Sequence, residues 1–381
     1  VGDLPHDEAA LALRVLPGTH RVSATARSAF GTFTSDEVKV TVRENEPAEV
    51  CVELRLQKGR IRGWAVPESI PCWRSGGIPG NALHADLVFL RDGSTLAFAA
   101  ETSDIRAARA AQPGEWTDFA GILPRPADRE SRRLPRCVRT TDGTFLLAWA
   151  SCHPDRNGIY LSRSRDGSAW SAPKRAARLR WAPLEMDFVR GPKDKLNLVW
   201  STFDKGSRND GIFIQEISST GLAGKPRMIF NCTDFSQQAR LAAKMFIHPD
   251  GRGLLLASTQ YSVSDDLKRW SNPDVWMPEF AKYGAFCYGG VWEKGGRLVV
   301  FCRRENALSG IHVRVTNDLK TWQDRGRFDS SLWHVRARTQ PNGLPVVLWA
   351  RRGTLWLCRA TAAGWKTQLP PLKPKTDGGR K

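Results

Sequence analysis

The sequence predicts an all-β chain: a six-bladed β-propeller preceded by a small β-sandwich domain. Three observations predict it. A turn motif recurs down the chain, a hairpin of constant form returns every 45 to 56 residues, and a first segment follows neither rule.

The motif reads Ser or Thr, any residue, Asp, Gly or Leu, two residues, then Trp. It stands at 164–170 (SRDGSAW), 264–270 (SDDLKRW) and 316–322 (TNDLKTW), with weaker relatives at 217–226, at 360–365 and ending at Trp116. Its Asp suits a turn in which backbone N–H groups need an acceptor, and its Trp suits a wedge between neighbouring blades. Asp166, Asp266 and Asp318 are therefore read as structural, since a residue repeated in several copies rarely makes a unique site. The hairpins are Asp92-Gly93, Asp142-Gly143, Lys193-Asp194-Lys195, Asp250-Gly251, Gly295-Gly296 and Asn342-Gly343. Asp-Gly and Asn-Gly are expected as two-residue turns with both central residues at positive φ. The runs that follow them, from STLAFAA to LPVVLWA, are apolar, rich in strand formers and too short for helices. Six such units cover roughly 84–365, and the propeller as a whole is placed at 59–370.

Residues 1–58 carry no Asp…Trp mark. LALRVLPGTHRVSATA and EVKVTVRENEPAEVCVELRL alternate apolar and polar positions, as half-buried antiparallel strands do. The segment resembles the small immunoglobulin-like or carboxypeptidase-regulatory-like sandwich modules attached to secreted enzymes. Residues 371–381 have no apolar period and read as a disordered basic tail. No run approaches the ~20 apolar residues of a membrane span. The chain begins at Val1 rather than Met, so an export signal is expected to have been removed or to lie outside it, and the location is read as secreted, periplasmic or cell-surface.

The chain carries a net charge of +18. The first 58 residues hold seven basic and nine acidic side chains, so the remainder carries +20. Such a surplus suits an acidic partner, whether an acidic glycan, an anionic surface or nucleic acid; it equally suits a well-solvated surface. The eight cysteines form no CxxC and the seven histidines are scattered, so no metal or other cofactor is called for. Cys137 with Cys152 and Cys287 with Cys302 share a spacing of 15 and bracket the first hairpin of a blade. Each pair is either a cross-strand disulfide or two small buried thiols. The sequence lacks GxSxG, GxxxxGK and HExxH, against serine hydrolase, nucleotide and zinc-protease readings.

In a propeller the first strand of each blade lines the central channel. Here those strands carry His84, Asp86, Arg133, Arg136, Glu185, Asp187, Lys244, Tyr288, His334 and Arg336, where apolar residues would be expected. This density of charge makes the channel mouth the candidate site.

These residues resemble the sialidases and related six-bladed glycosidases. Residues 132–170 are similar to the opening blade of that family: Arg133-Leu134-Pro135 matches its Arg-Ile-Pro phrase, a DG hairpin and apolar strand follow, and Asp155 stands where the general acid would be. The resemblance places the family's other carboxylate-binding arginines at Arg303 or Arg304 and at Arg351 or Arg352, with Arg136 beside them. HADLVFLRDGSTLAFAAE (84–101) resembles the family's last blade in circularly shifted order, so that Glu101 would support Arg133. His84 stands where the family has its tyrosine nucleophile, and Tyr288 near the glutamate that activates it. The resemblance implies an exo-glycosidase that hydrolyses a terminal acidic sugar. Arginines would hold the carboxylate, Asp155 would protonate the leaving oxygen, and Tyr288, with His84 as base, would meet the anomeric carbon. The partner implied is an acidic glycan or glycoconjugate rather than nucleic acid. Two alternatives stand beside it: a glycosidase using the channel carboxylates Asp86, Glu185 and Asp187, and a non-catalytic glycan- or protein-binding propeller.

Overall fold

The computed structural model describes residues 17–23, 25–28, 31–35, 37–43, 54–59, 68–70, 84–101, 104–124, 130–153, 156–180, 183–191, 195–202, 211–218, 221–222, 224–231, 244–248, 250–278, 285–293, 296–304, 311–328, 333–351 and 354–361. The chain is an all-β six-bladed propeller. Among the described residues no helix is long and apolar enough to cross a membrane.

The inner strands of blades 1 to 6 are His84–Phe89, Ser131–Arg139, Glu185–Arg190, Lys244–Ile247, Ala285–Trp292 and Trp333–Thr339. Each pairs antiparallel with the next strand outward, and that strand with a third. The outer strand of blade 6 comes from earlier in the chain: Glu68–Ile70 pairs with Thr354–Arg359, so residues before blade 1 complete the last blade. Six buried apolar clusters hold the ring, one between each pair of neighbouring blades. Leu96, Phe98 and Trp149 pack blade 1 on blade 2, and Leu87 and Ala97 meet Val346 and Leu348 where blade 1 returns to blade 6. In the first segment, Gly18–Val22 pairs with Val38–Val42, while Thr25–Ser28, Gly31–Ser35 and Leu54–Gly59 form a three-stranded sheet. The expected sandwich depends also on residues outside the described set, as does the tail.

The recurring turn motif works through its backbone. Asp166 Oδ1 accepts the N–H groups of Ser168 and Ala169 at 2.8 and 3.1 Å, and Asp266 Oδ1 accepts those of Lys268 and Arg269 at 2.8 Å each. Trp170 meets Phe98 of blade 1 edge-to-face at 5.9 Å, and Trp270 meets Phe230 of blade 3 at 6.3 Å. The position after the Asp is left-handed, φ 81° at Gly167, 57° at Leu267 and 63° at Leu319. Glycine accepts this without strain, but a leucine does so at a cost of about 1–2 kcal/mol.

The blade hairpins differ from expectation. Leu90 N–H bonds Ser94 O at 2.8 Å and Gly93 N–H bonds Leu90 O at 3.2 Å, and the same pair of bonds returns at Thr140/Thr144, His248/Arg252, Glu293/Arg297 and Gln340/Leu344. In these loops the glycine lies at positive φ, between 81° and 100°, and none of the described residues before it does. This is a type I turn closed by a glycine bulge over three residues, not a two-residue turn with two left-handed positions. The Lys193-Asp194 turn lies outside the described residues.

The two cysteine pairs separate in the same register. Cys137 lies opposite Leu147 and Cys152 opposite Ser131, so the first pair is not apposed. Cys287 lies opposite Cys302, yet both are free buried thiols, and burial pushes Cys287 up to about 12.

Candidate functional site at the channel mouth

Every inner strand runs in the same sense about the channel, so the strand starts share one face of the ring. The register brings the ends of the second strands to that face. His84 is opposite Ala100, Arg133 opposite Ala150, Glu185 opposite Ser201, Phe286 opposite Arg303, Ala285 opposite Arg304 and Trp333 opposite Ala350. The backbone therefore sets His84, Glu101, Arg133, Arg303, Arg304 and Arg351 along one edge. Asp155 and Arg352 lie outside the described residues; Glu101, Arg304, Arg351 and His334 are described by their backbone alone.

Three inner strands bulge at this end. In blade 2 the register slips between Arg133 and Arg136, in blade 5 between Cys287 and Gly289, and in blade 6 between Trp333 and Arg336. Each slip inserts one residue and resets which side chains face the channel. In blade 2 Leu134 takes φ 54°, leaving Arg133 exposed, with Nε 3.3 Å from Ser131 Oγ, while Arg136 is fully buried. In blade 5 the inserted residue is Tyr288, whose ring lies 5.8 Å from the Arg303 guanidinium.

Two layers of ion pairs cross the channel between blades 3 and 6, which face each other across the ring. Residues two apart on a strand share a face. Glu185 and Asp187 on blade 3 therefore meet Arg336 and Arg338 on blade 6. In the outer layer Glu185 Oε2 receives Lys244 Nζ at 2.6 Å, Arg336 Nη2 at 2.7 Å and Arg136 Nη2 at 3.4 Å. Arg336 also donates to Tyr288 O at 3.2 Å, and Arg136 Nε donates to Met186 O at 2.6 Å. In the deeper layer Arg338 grips Asp187 with two bonds, at 2.9 and 3.2 Å, and Asp86 Oδ2 at 2.7 Å. Asp86 Oδ2 also accepts Cys137 N–H at 2.9 Å, so one carboxylate ties blades 1, 2 and 6 together. The space left beside Glu185, Lys244 and Gly289 is 20 Å³, enough for about one water. Among the described residues the ion pairs cross the channel, so the mouth is where a sugar would have room to sit.

The electrostatics divide the two layers. Burial pushes the Asp187 carboxyl up, but Arg338 and then Arg136 outweigh it and hold the group below the usual carboxylate range. Arg338, whose burial works against its charge, is held charged by Asp187 and Asp86. The oxygens of Asp86 and Asp187 lie 2.7 and 2.9 Å from the same Arg338 nitrogen, hence no more than 5.6 Å apart. That bound admits the spacing of a retaining glycosidase pair, about 5–5.5 Å. Their environment argues against that role, because Asp86 is fully buried and Asp187 is kept ionised where an acid must carry a proton. In the outer layer Glu185, 22% exposed, faces three cations, which leaves the mouth electropositive. Burial raises the Tyr288 phenol, with Arg303 opposing it, and so keeps the hydroxyl neutral. Among the described residues no group of His, Cys, Asp and Glu is arranged to hold a metal.

Sequence reasoning missed Arg338, which holds the deeper layer. Its signal was the alternation in VRAR at 335–338, matching Glu185 and Asp187 two apart on the facing strand.

No family model matches the chain, and no curated protein matches its sequence. Solved structures do match its shape. An α-L-arabinanase from Penicillium chrysogenum, complexed with arabinobiose, superposes with a TM-score of 0.57 at 14% identity, over 78% of this chain and 98% of its own. A GH93 α-L-arabinofuranosidase from Fusarium graminearum gives 0.54 at 13% identity, over 80% and 99%. The sialidase NanB gives 0.54 at 12% identity, over 81% of this chain and 72% of its own. What is shared at these identities is the fold: this chain is a six-bladed propeller of the architecture on which those arabinan-acting enzymes and NanB are built.

Proposed function

We propose that the chain is a propeller glycoside hydrolase that acts at the channel mouth on a terminal acidic sugar. The observation that carries this reading is the bulged edge, where inner strands of three blades are re-aimed toward an electropositive mouth. Bulges of this kind gather next to active sites because they redirect single side chains. Arg133 and one of each pair Arg303/Arg304 and Arg351/Arg352 would grip the sugar carboxylate through paired N–H bonds that a lysine cannot reproduce. Asp155 would protonate the glycosidic oxygen as the bond to the anomeric carbon breaks. Burial keeps the Tyr288 phenol neutral, so His84 would take its proton as the oxygen meets the anomeric carbon. Water would then cleave the glycosyl–Tyr288 bond and release the sugar with retained configuration, and Glu101 would hold Arg133 in place. The division near residue 58 between a sandwich module and the ring, and export from the cell, belong to the same proposal. The arabinan-acting and sialidase neighbours, which share the fold, support a sugar ligand.

The test is turnover of a sialoside and a glucuronide by the purified chain, with the anomer of the first product followed by NMR. Asp155→Asn is expected to abolish hydrolysis and spare binding, and Arg133→Lys to weaken binding by roughly tenfold or more. Absence of turnover with binding intact in both variants would leave a non-catalytic glycan-binding propeller. That second reading is favoured by one feature, the pairing of Asp86, Glu185 and Asp187 with cations inside the channel.

A further inference from the structure

The opposite face of the ring carries a second cluster, built from the hairpin turns of blades 1 and 2. A depression of 610 Å³ lies there, lined by Arg91, Arg109, Arg139 and Arg165 together with three turn aspartates. The aspartates are engaged. Asp92 pairs with Arg109 and accepts Ser94 N–H, Asp142 accepts Thr144 N–H at 3.1 Å, and Asp166 accepts the amides of its own turn. Among the described residues, no carboxylate lies within ion-pair distance of Arg91 or Arg139. Both guanidinium groups crowd Gly143, at φ +92°: their Nη2 atoms lie 2.9 and 3.3 Å from where a Cβ would stand, hence at most 6.2 Å apart. Arg139 is fixed in this pose by Gly143 O, 3.4 Å from its Nε, and by the Phe145 ring, 5.8 Å from its guanidinium carbon. Burial, and after it the charge of Arg91, lower the Arg139 pKa. Arg190 of blade 3 donates to the Arg139 carbonyl and extends the basic line.

We propose that this turn face is an oxyanion-binding site, in which Arg91 and Arg139 clamp a sulfate or carboxylate group of an acidic polysaccharide. Two like charges held this close lack only an anion between them, and guanidinium forks match the oxygens of either group. The depression has room for more than one oxyanion, which suits a group carried on a chain. The interspersed aspartates disfavour the continuous charge of a nucleic acid and suit the spaced charges of a glycan. The site is independent of the hydrolase reading, because it lies on the far face of the ring.

The test uses the whole chain. Its thermal midpoint is measured in sodium sulfate and in sodium chloride at equal ionic strength, and its binding to dextran sulfate, polygalacturonate and duplex DNA is measured on a biosensor. A sulfate-specific rise in the midpoint is expected, and its loss in Arg91→Glu, which places a carboxylate beside Arg139. The double variant Arg91→Ala/Arg139→Ala is expected to weaken the better-held polysaccharide about tenfold or more. Arg178→Glu, on the exposed outer strand of blade 2, serves as a net-charge control and is expected to change it by less than about threefold. Whichever polysaccharide binds more tightly identifies the group as sulfate or carboxylate. The proposal is overturned if sulfate stabilises no more than chloride, if Arg178→Glu weakens binding as much as the double variant, or if DNA binds more tightly than both polysaccharides.

Discussion

Replacing Arg338 with methionine would remove the one cation that bridges Asp86 and Asp187 while keeping most of the side chain's volume. Asp86 is fully buried, and the Asp187 side chain is only 25% exposed. Breaking a buried pair by deleting one partner typically costs about 3–5 kcal/mol, because the remaining charge is left uncompensated. Partial exposure of Asp187 reduces its share, so a loss of about 3 kcal/mol is expected at neutral pH. The pH dependence gives the sharper sign. In the native chain the Asp187 carboxyl is held below its ordinary value, so its contribution is present above the unfolded pKa and fades only as pH falls through the folded one. In Arg338→Met burial acts on Asp187 with its main opponent gone, which raises the group and makes its charged form unfavourable. The variant's deficit should therefore be largest near pH 8 and shrink toward pH 5. Urea unfolding across that range measures it, and Asp187→Asn combined with Arg338→Met should recover part of the loss. A deficit under about 1 kcal/mol, or one constant with pH, would refute the account of the ion pairs that cross the channel.

Three further substitutions separate packing from charge. Leu319→Gly relieves a left-handed leucine but empties a site only 2% exposed, so a net loss of about 2 kcal/mol is expected, whereas half-buried Leu267→Gly should stay within about 1 kcal/mol, both read by urea midpoint. Glu185→Gln leaves Lys244, Arg136 and Arg336 without their shared carboxylate, so the chain should lose stability and, on the proposed function, hold an acidic glycoside more tightly, read as a lower KM.

The ring was legible in the sequence because its information is periodic. Each Asp…Trp turn and each Gly-closed hairpin repeats a local rule, and copies reinforce one another. The hairpin type was misread because Asp-Gly serves both a two-residue turn and the last two positions of a three-residue loop. Pro341, just before Asn342-Gly343, held the answer: its fixed φ suits the first position of a type I turn. The candidate channel charges Asp86, Arg136, Glu185 and Asp187 were visible as ionisable residues in strands that ought to be apolar. Their pairing was not, because Glu185 and Arg336 are 151 residues apart and meet only when the ring closes. Arg338 escaped notice because Arg-Ala-Arg alternation reads equally well as a solvated strand face.

The central claim is that an acidic sugar binds where the inner strands begin. A crystal structure of the chain soaked with a non-hydrolysable thiosialoside tests it most directly. The expected result is a sugar ring at that edge, its carboxylate within hydrogen-bond distance of Arg133 and of at least one of Arg303, Arg304, Arg351 and Arg352, with Asp155 beside the bridging sulfur. A thiosialoside held only on the turn face by Arg91 and Arg139, or Arg133 and Asp155 pointing to different sides of the ring, would contradict it.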